Sequence, residues 1–291
     1  MNILSEIERD SWRRPVGPDG RILENPYTNH SPSTKIFWFE KNYDPVTITR
    51  WMQSSWHACV IPTCVIYLCV IFLLKHLMAN RAAFVLRQPL VIWNAALALF
   101  SIIGAVRMSE EAIVLLRDCS VYEAVCYASW PESAFGWWTE AFMWSKIIEL
   151  GDTVFLLLKK RPLIFLHWYH HVTVLIFTWH ACSEHAAPGR WFITMNFYVH
   201  SLMYTYYALR AACVKVPQMI AIVITLCQTS QMIGGIVIGS LVYYYKSNQL
   251  PCGQTWQNFV LGLLIYSTYF VLFINFFIRS YILARGKRKK E

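Results

Sequence analysis

Lys146 to His171 reads KIIELGDTVFLLLKKRPLIFLHWYHH, and the reading of this stretch governs the reading of the whole chain. It sets one Lys, one Glu, one Asp and three His among apolar residues, with a single basic break at Lys159, Lys160 and Arg161. An ionisable residue inside a membrane-length apolar segment is costly and needs an internal partner, so it marks a functional site by default. Six such residues fall within 26 positions here.

Composition says what surrounds that stretch. Of 291 residues, 56% are hydrophobic and only 15% charged, with mean hydropathy +0.36. Soluble domains carry about 25% charged residues, so this balance belongs to lipid. Seven apolar segments are long enough to cross a hydrocarbon core of about 30 Å: 57–78, 89–107, 136–158, 163–182, 191–210, 217–245 and 256–283. The expected fold class is an all-α integral membrane protein with about seven transmembrane helices. Its units are an N-terminal segment 1–56, a seven-span domain 57–283 and a basic tail 284–291. The first 50 residues hold no apolar core of a cleavable signal peptide, so the first span is expected to serve as the targeting signal.

Loop charges orient the spans. Lys75, Arg81 and Arg87 follow span 1, the KKR turn follows span 3, Arg210 and Lys215 follow span 5, and five basic residues follow span 7. The opposite loops hold only Arg107, Arg117, Arg190 and Lys246. The C-terminus is therefore expected in the cytosol and the N-terminus in the lumen. The net charge of +9 is span-end flanking, not a nucleic-acid surface. Cys119, Cys126 and Cys252 fall on the lumenal side, where disulfides persist, and Cys126 is expected to pair with Cys252. Asn29 opens a formal glycosylation sequon on the lumenal tail, weakened by the Pro32 that follows it.

Helical periodicity gathers the polar residues. Positions i, i+3, i+4 and i+7 share one face, which lines up Lys146, Glu149 and Asp152 or Thr153 on span 3, and His167, His170 and His171 on span 4. Span 5 contributes Asn196, His200, Met203 or Tyr204, and Tyr207; span 6 contributes Thr225, Gln228 and Gln231. Counted from the cytosolic turns at about 1.5 Å per residue, these groups lie about 9–17 Å inside the boundary. Four polar stripes at one depth on neighbouring helices imply one enclosed chamber. His180 and His185, near the lumenal end of span 4, read as surface residues.

A histidine cluster suits either a metal or acyl transfer. Membrane di-iron oxygenases also use HxxHH, but they need about eight His in several boxes. This chain has nine His in all, of which His30, His57, His76 and His185 lie outside or at the ends of the spans, and only one HxxHH. No metal site is expected. A seven-span receptor or transporter is a third reading, without the Asp-Arg-Tyr or Asn-Pro-x-x-Tyr signals of the common receptor class.

Four segments in order, KIIELGDT, HWYHH, NFYVHSLMYTYY and TLCQTSQ, resemble the signature boxes of the ELO-type very-long-chain fatty acid elongases. FEKNYD, RQPLVIWN and LFSIIGAVR extend the likeness from about Phe37 through span 7, and PLIFLHWYHH is most similar to the member-six and member-three types. The resemblance implies spans 2–7 as a barrel around an acyl tunnel in the endoplasmic reticulum membrane. It implies the condensing step, in which a saturated or monounsaturated acyl-CoA and malonyl-CoA give 3-ketoacyl-CoA, carbon dioxide and CoA, without a cofactor. Partners implied are the bilayer, the ketoacyl reductase, dehydratase and enoyl reductase of the cycle, and a second copy of the chain.

Roles follow as expectations. Histidine can carry a covalent acyl group, and a water-excluding site would protect it. His170 is the expected nucleophile and His200 the second catalytic imidazole, with His167 and His171 positioning substrate. Glu149 and Asp152 would orient imidazoles, and Lys146 would meet an oxyanion or the malonyl carboxylate. Asn196, Tyr204, Tyr207, Gln228 and Gln231 would line the substrate site, and Lys159, Lys160, Arg161, Arg210 and Lys215 would meet CoA phosphates. The rival is a one-step Claisen condensation with His170 as base only. Trp179, Trp191 or Phe192 would plug the tunnel, and Lys287 and Lys289 resemble a dilysine retrieval signal.

Overall fold

Backbone polar groups in an apolar setting have to be satisfied within the segment itself, which favours helices. The computed structural model obeys this. It describes residues 36–40, 44–129 and 133–283, and within them it is helical with no β-strand. In chain order the elements are α1 (Pro45–Leu77), α2 (Arg87–Asp118), α3 (Val121–Cys126), α4 (Ala134–Ile148), α5 (Gly151–Leu158), α6 (Phe165–Ser183), α7 (Gly189–Ala211), α8 (Gln218–Ser247) and α9 (Trp256–Phe277), with a closing π-helical turn Ile278–Leu283. Asn29, Lys287, Lys289 and nearly all of segments 1–44 and 284–291 lie outside the described residues.

Four helices are long and apolar enough to cross a membrane by length and composition: Thr47–Leu77, Arg87–Asp118, Gln218–Ser247 and Trp256–Leu283. The other three apolar segments are also helical but do not reach that standard. The third is broken into α4 and α5, the fourth carries the histidines of α6, and the fifth carries Arg190, Asn196 and His200 in α7. Of these, Asn196 and His200 line the larger cavity, whereas Arg190 belongs to an ion pair with Glu111.

Helix α2 packs along α7, α7 on α8, α8 on α9, α9 on α6, α6 on α4, and α4 returns to α2. Helix α1 lies against α4, α5 and α6, sealed by Met52, Val60, Tyr67 and Ile71 against Met143, Leu157, Leu175 and Trp179. Gly235 on α8 is where a close approach decides the residue: a Cβ there would sit 2.3 Å from the Tyr266 ring. The Gly235-xxx-Gly239 notch thus receives an aromatic side chain of α9.

Four helix ends close alike. Lys160, His185, Cys213 and Gln249 adopt positive φ, between 50° and 66°. After each of them the next amide donates back five residues, as Arg161 does to Leu156 and Leu250 to Tyr245. This paired 6→1 and 5→2 pattern is the Schellman cap, ordinarily built on Gly. In the KKR turn it starts the six-residue connection between α5 and α6, across which Thr153 of α5 meets His167 of α6 at 2.9 Å.

The two ends of the bundle are tied differently. At the basic end the connections share single hydrogen bonds: Phe84 N–H donates to Leu158 O at 3.0 Å, Lys160 Nζ to Ala79 O at 3.0 Å and Arg87 to Ala212 O at 3.0 Å. At the other end Cys126 and Cys252 form a disulfide across a sequence separation of 126. The Gly253 amide donates to Cys126 O, and the Ala187 amide donates to Gly253 O. Three connections are stitched together there. Two arginines first read as loop charges are buried ion-pair members at this end: Arg107 binds Glu40 at 2.9 Å and Glu110 at 2.7 Å, and Arg190 binds Glu111 at 3.2 Å. Once buried and paired they no longer count as loop charge.

A cross-link closing so long a loop removes much denatured-state freedom, typically about 2–4 kcal/mol. Cys126→Ser with Cys252→Ser is expected to lower the apparent melting temperature of detergent-solubilised protein, read by fluorescence-detected size exclusion. An unshifted melting temperature would refute a stabilising role.

Candidate active site

The deciding stretch builds its two walls by different local means. On the first, α4 ends at Ile148 and α5 begins at Gly151. Between them the amides bond to i−3 carbonyls, Leu150 to Ile147 and Asp152 to Glu149. The expected unbroken span 136–158 is therefore interrupted at Glu149–Leu150. Gly151 allows the break to pack: a Cβ there would lie 2.7 Å from the Trp93 ring. With that ring seated, Trp93 Nε1 donates to Asp152 Oδ1 at 2.6 Å.

Both acidic groups are engaged. Glu149 Oε1 accepts from Lys146 Nζ at 2.8 Å and from Ser145 Oγ at 3.0 Å, and lies 3.7 Å from His200 Nδ1. Lys146 is only 2% exposed, and its ammonium also donates to Asn196 Oδ1 at 3.0 Å while lying over the Phe142 ring. Asp152 Oδ2 accepts from Tyr204 OH at 2.7 Å. Two expectations change. Lys146 does not line the chamber, because Glu149 and Asn196 take up its charge. Asp152 orients no imidazole, because a tryptophan and a tyrosine hold its two oxygens.

The second wall carries the histidines on one face of α6, as i, i+3 and i+4 require. His167 Nε2 pairs with Thr153 Oγ1 at 2.9 Å, and Thr153 with Tyr67 OH at 2.8 Å. The His171 ring lies 4.6 Å from that of His167. The His170 ring packs 4.7 Å from Tyr269, whose hydroxyl meets Thr173 Oγ1 at 2.6 Å. His170 Nδ1 is buried with no hydrogen-bond partner among the described residues. Each ring therefore has its own environment, and no cluster of three or more potential metal ligands forms among the described residues.

Two cavities meet at this histidine. A chamber of about 610 Å³ extends toward the basic end, lined by Glu149, Asp152, His167, His171, His200, Tyr204, Tyr207 and Gln228, with Lys159, Arg161 and Arg210 at its mouth. A narrower cavity of about 130 Å³ extends toward the disulfide end between α4, α6, α7 and α9. His170, Asn196, Gln231 and Met232 line both.

Some residues fall elsewhere than expected. Lys160 Nζ donates to Ala79 O, and Lys215 is exposed outside the lining. Thr225 Oγ1 donates to Ala221 O within its own helix and meets Tyr281. Trp179 and Trp191 give their indole N–H groups to Met143 O and Ala124 O, so of the three proposed plugs only Phe192 lines the inner cavity. His180 and His185 are part-buried and bonded to Asn258 and Thr49, not surface residues. The residues missed are Trp93, Tyr67 and Tyr269. Trp93 lies in the quoted segment RQPLVIWN, but no helical spacing links it to Asp152.

A buried ion pair loses more when one partner goes than when both do. Lys146→Met is expected to cost about 3–5 kcal/mol of stability, and Lys146→Met with Glu149→Gln to recover much of it. Apparent melting temperatures of the three proteins check this; equal losses would uncouple the pair.

A family model described as "ELO: GNS1/SUR4 family" matches residues 51–290. "Very long chain fatty acid elongase 6" of Drosophila melanogaster is 44% identical over 264 residues, covering 88% of this chain and 82% of its own. The Homo sapiens protein of the same name is 42% identical over 255 residues, covering 87% and 94%. "Very long chain fatty acid elongase 3" of Mus musculus is 43% identical over 211 residues, covering 72% and 78%.

Proposed function

The chain belongs to the ELO (GNS1/SUR4) family and is a condensing enzyme of very-long-chain fatty acid elongation; from this premise we propose that the reaction runs through an acyl-imidazole on His170. One observation carries the reading: His170, with Nδ1 buried and unpartnered among the described residues, lies where the wide polar chamber meets the narrow apolar cavity. The acyl chain occupies the narrow cavity, and CoA occupies the chamber with its phosphates at Lys159, Arg161 and Arg210. The thioester carbon then falls at the junction.

A His170 ring nitrogen attacks that carbon, the carbon–sulfur bond breaks, and CoA leaves with the proton given up by the ring. Asn196 is oriented for the developing oxyanion, because Lys146 engages its Oδ1 and leaves the amide N–H groups to the cavity. Donors fixed in advance at the site of new charge are the effective kind. Malonyl-CoA then enters and loses carbon dioxide, and its enolate carbon attacks the acyl carbon. The electron pair of the C–N bond returns to His170, which regains a proton from water. His200, 3.7 Å from Glu149, is the second imidazole and faces the malonyl group. His167, fixed by Thr153, and His171 wall that half of the chamber. The reading calls on no cofactor.

The closed circuit α2–α7–α8–α9–α6–α4 supports a six-helix barrel with α1 outside, and hence seven spans with α4 and α5 counted as one. The basic mouth faces the cytosol and the disulfide end faces the lumen of the endoplasmic reticulum, which sets the N-terminus in the lumen. Saturated or monounsaturated acyl-CoA is the proposed substrate class, as the resemblance carried by PLIFLHWYHH implies. The reductases and dehydratase of the cycle, and a second copy of the chain, are its proposed partners.

Purified enzyme incubated with palmitoyl-CoA alone is expected to gain one acyl mass by intact mass spectrometry. His170→Ala is expected to lose the adduct and to lower 3-ketoacyl-CoA formation by at least about 10³-fold, as for loss of a nucleophile. Product without any adduct on the wild type would leave only the one-step Claisen route.

A further inference from the structure

The narrow cavity is apolar through its middle, walled by Phe142, Met143, Val174 and Phe177, but polar at its far end. There the lining becomes Ser129, Thr139, Glu140, Arg190, Gln254 and Asn258. Counted along α6 from His170 to Cys182, which also lines the cavity, this end lies about 18 Å from the reacting imidazole at 1.5 Å per residue.

Most of these polar groups are already engaged. Asn258 pairs with His180 Nδ1 at 3.0 Å and accepts from Gln254 Nε2 at 2.8 Å. Arg190 binds Glu111 and the carbonyls of Ala187 and Tyr127. Glu140 accepts from Trp144 Nε1 at 3.2 Å. Two groups differ: Ser129 Oγ and Thr139 Oγ1 are buried with no hydrogen-bond partner among the described residues. They come from separate parts of the chain, the α3–α4 connection and α4, and line the same cavity. A buried hydroxyl without a partner costs free energy, so two such groups on residues that line one cavity mark a place where a ligand entering it could complete the bonding.

We propose that this niche is a subsite for a hydroxyl-bearing chain terminus, so that ω-hydroxyacyl-CoAs of matching length are elongated beside methyl-ended ones. The proposal rests on the condensing reading and extends it to the far end of the substrate. A terminal hydroxyl donates one hydrogen bond and accepts others, which suits a pair of unpartnered hydroxyls. A methyl terminus leaves both bare. Water has the same donor–acceptor chemistry, and the test separates the two sources.

Wild-type enzyme in lipid nanodiscs receives malonyl-CoA with palmitoyl-CoA and ω-hydroxypalmitoyl-CoA in competition, and the ratio of the two 3-ketoacyl products is read by mass spectrometry. A purely apolar end rejects an added hydroxyl by about a hundredfold, whereas a hydrogen-bonding end accepts it. The expected ratio for the wild type lies within about tenfold of unity, and Thr139→Val with Ser129→Ala lowers it by about tenfold. Thr139→Ser, which keeps the hydroxyl, holds the wild-type ratio. A wild-type ratio near one hundredth overturns the subsite, as does a ratio the double variant leaves unmoved. A ratio that rises in the double variant assigns the niche to water and overturns it equally. Palmitoyl-CoA turnover by the wild type checks the condensing reading separately: its absence overturns both, and its presence with an unmoved ratio overturns the niche alone.

Discussion

Polar side chains between apolar helices have to find partners inside the bundle, because lipid offers none. The arrangement of the chamber follows from how that demand is met around Glu149. One oxygen takes hydrogen bonds from Lys146 and Ser145, and Lys146 passes a second bond to Asn196 on α7. One carboxylate, one ammonium, a hydroxyl and an amide are thereby held between the end of α4 and α7. With those charges engaged, the histidines of α6 are left to face the cavity.

The basic end and the disulfide end serve different needs. Single hydrogen bonds tie the connections at the basic end, where in the proposed reaction CoA enters and leaves. The opposite end is held by a covalent cross-link, by buried arginine–glutamate pairs and by carbonyl–amide stitching. The proposed tunnel, closed at the disulfide end and open at the basic end, calls for that asymmetry: tight ties where the chain terminus would stop, looser ones where the headgroup would pass.

Much of this was legible in the residues. Periodicity gathered Glu149, His167, His170, His171, Asn196 and His200 onto facing stripes, and depth counted from the basic turns set them at one level. The histidine face of α6 emerged because helix geometry is local. What sequence could not give was the direction of each bond. Lys146 and Asp152 sit on the expected stripe, yet Lys146 turns behind the chamber wall and Asp152 is held by Trp93, 59 positions earlier. The helix break at Glu149–Leu150 was equally hidden, since ELGD contains no proline. Gly151 is the one local sign, and it becomes intelligible only once the Trp93 ring lies against it. Lys160 and Lys215 show the same limit: clustered cations at a span end share a level but not a direction.

Asp152 takes one hydrogen bond from a residue of α2 and another from a residue of α7 while itself belonging to α5. A carboxylate so placed makes the three helices thermodynamically interdependent. Removing either donor leaves the other bonded to a charge it can no longer share, so effects at Trp93, Tyr204 and Asp152 do not add. The three side chains form one energetic unit that ties the first chamber wall to helices remote from it in sequence.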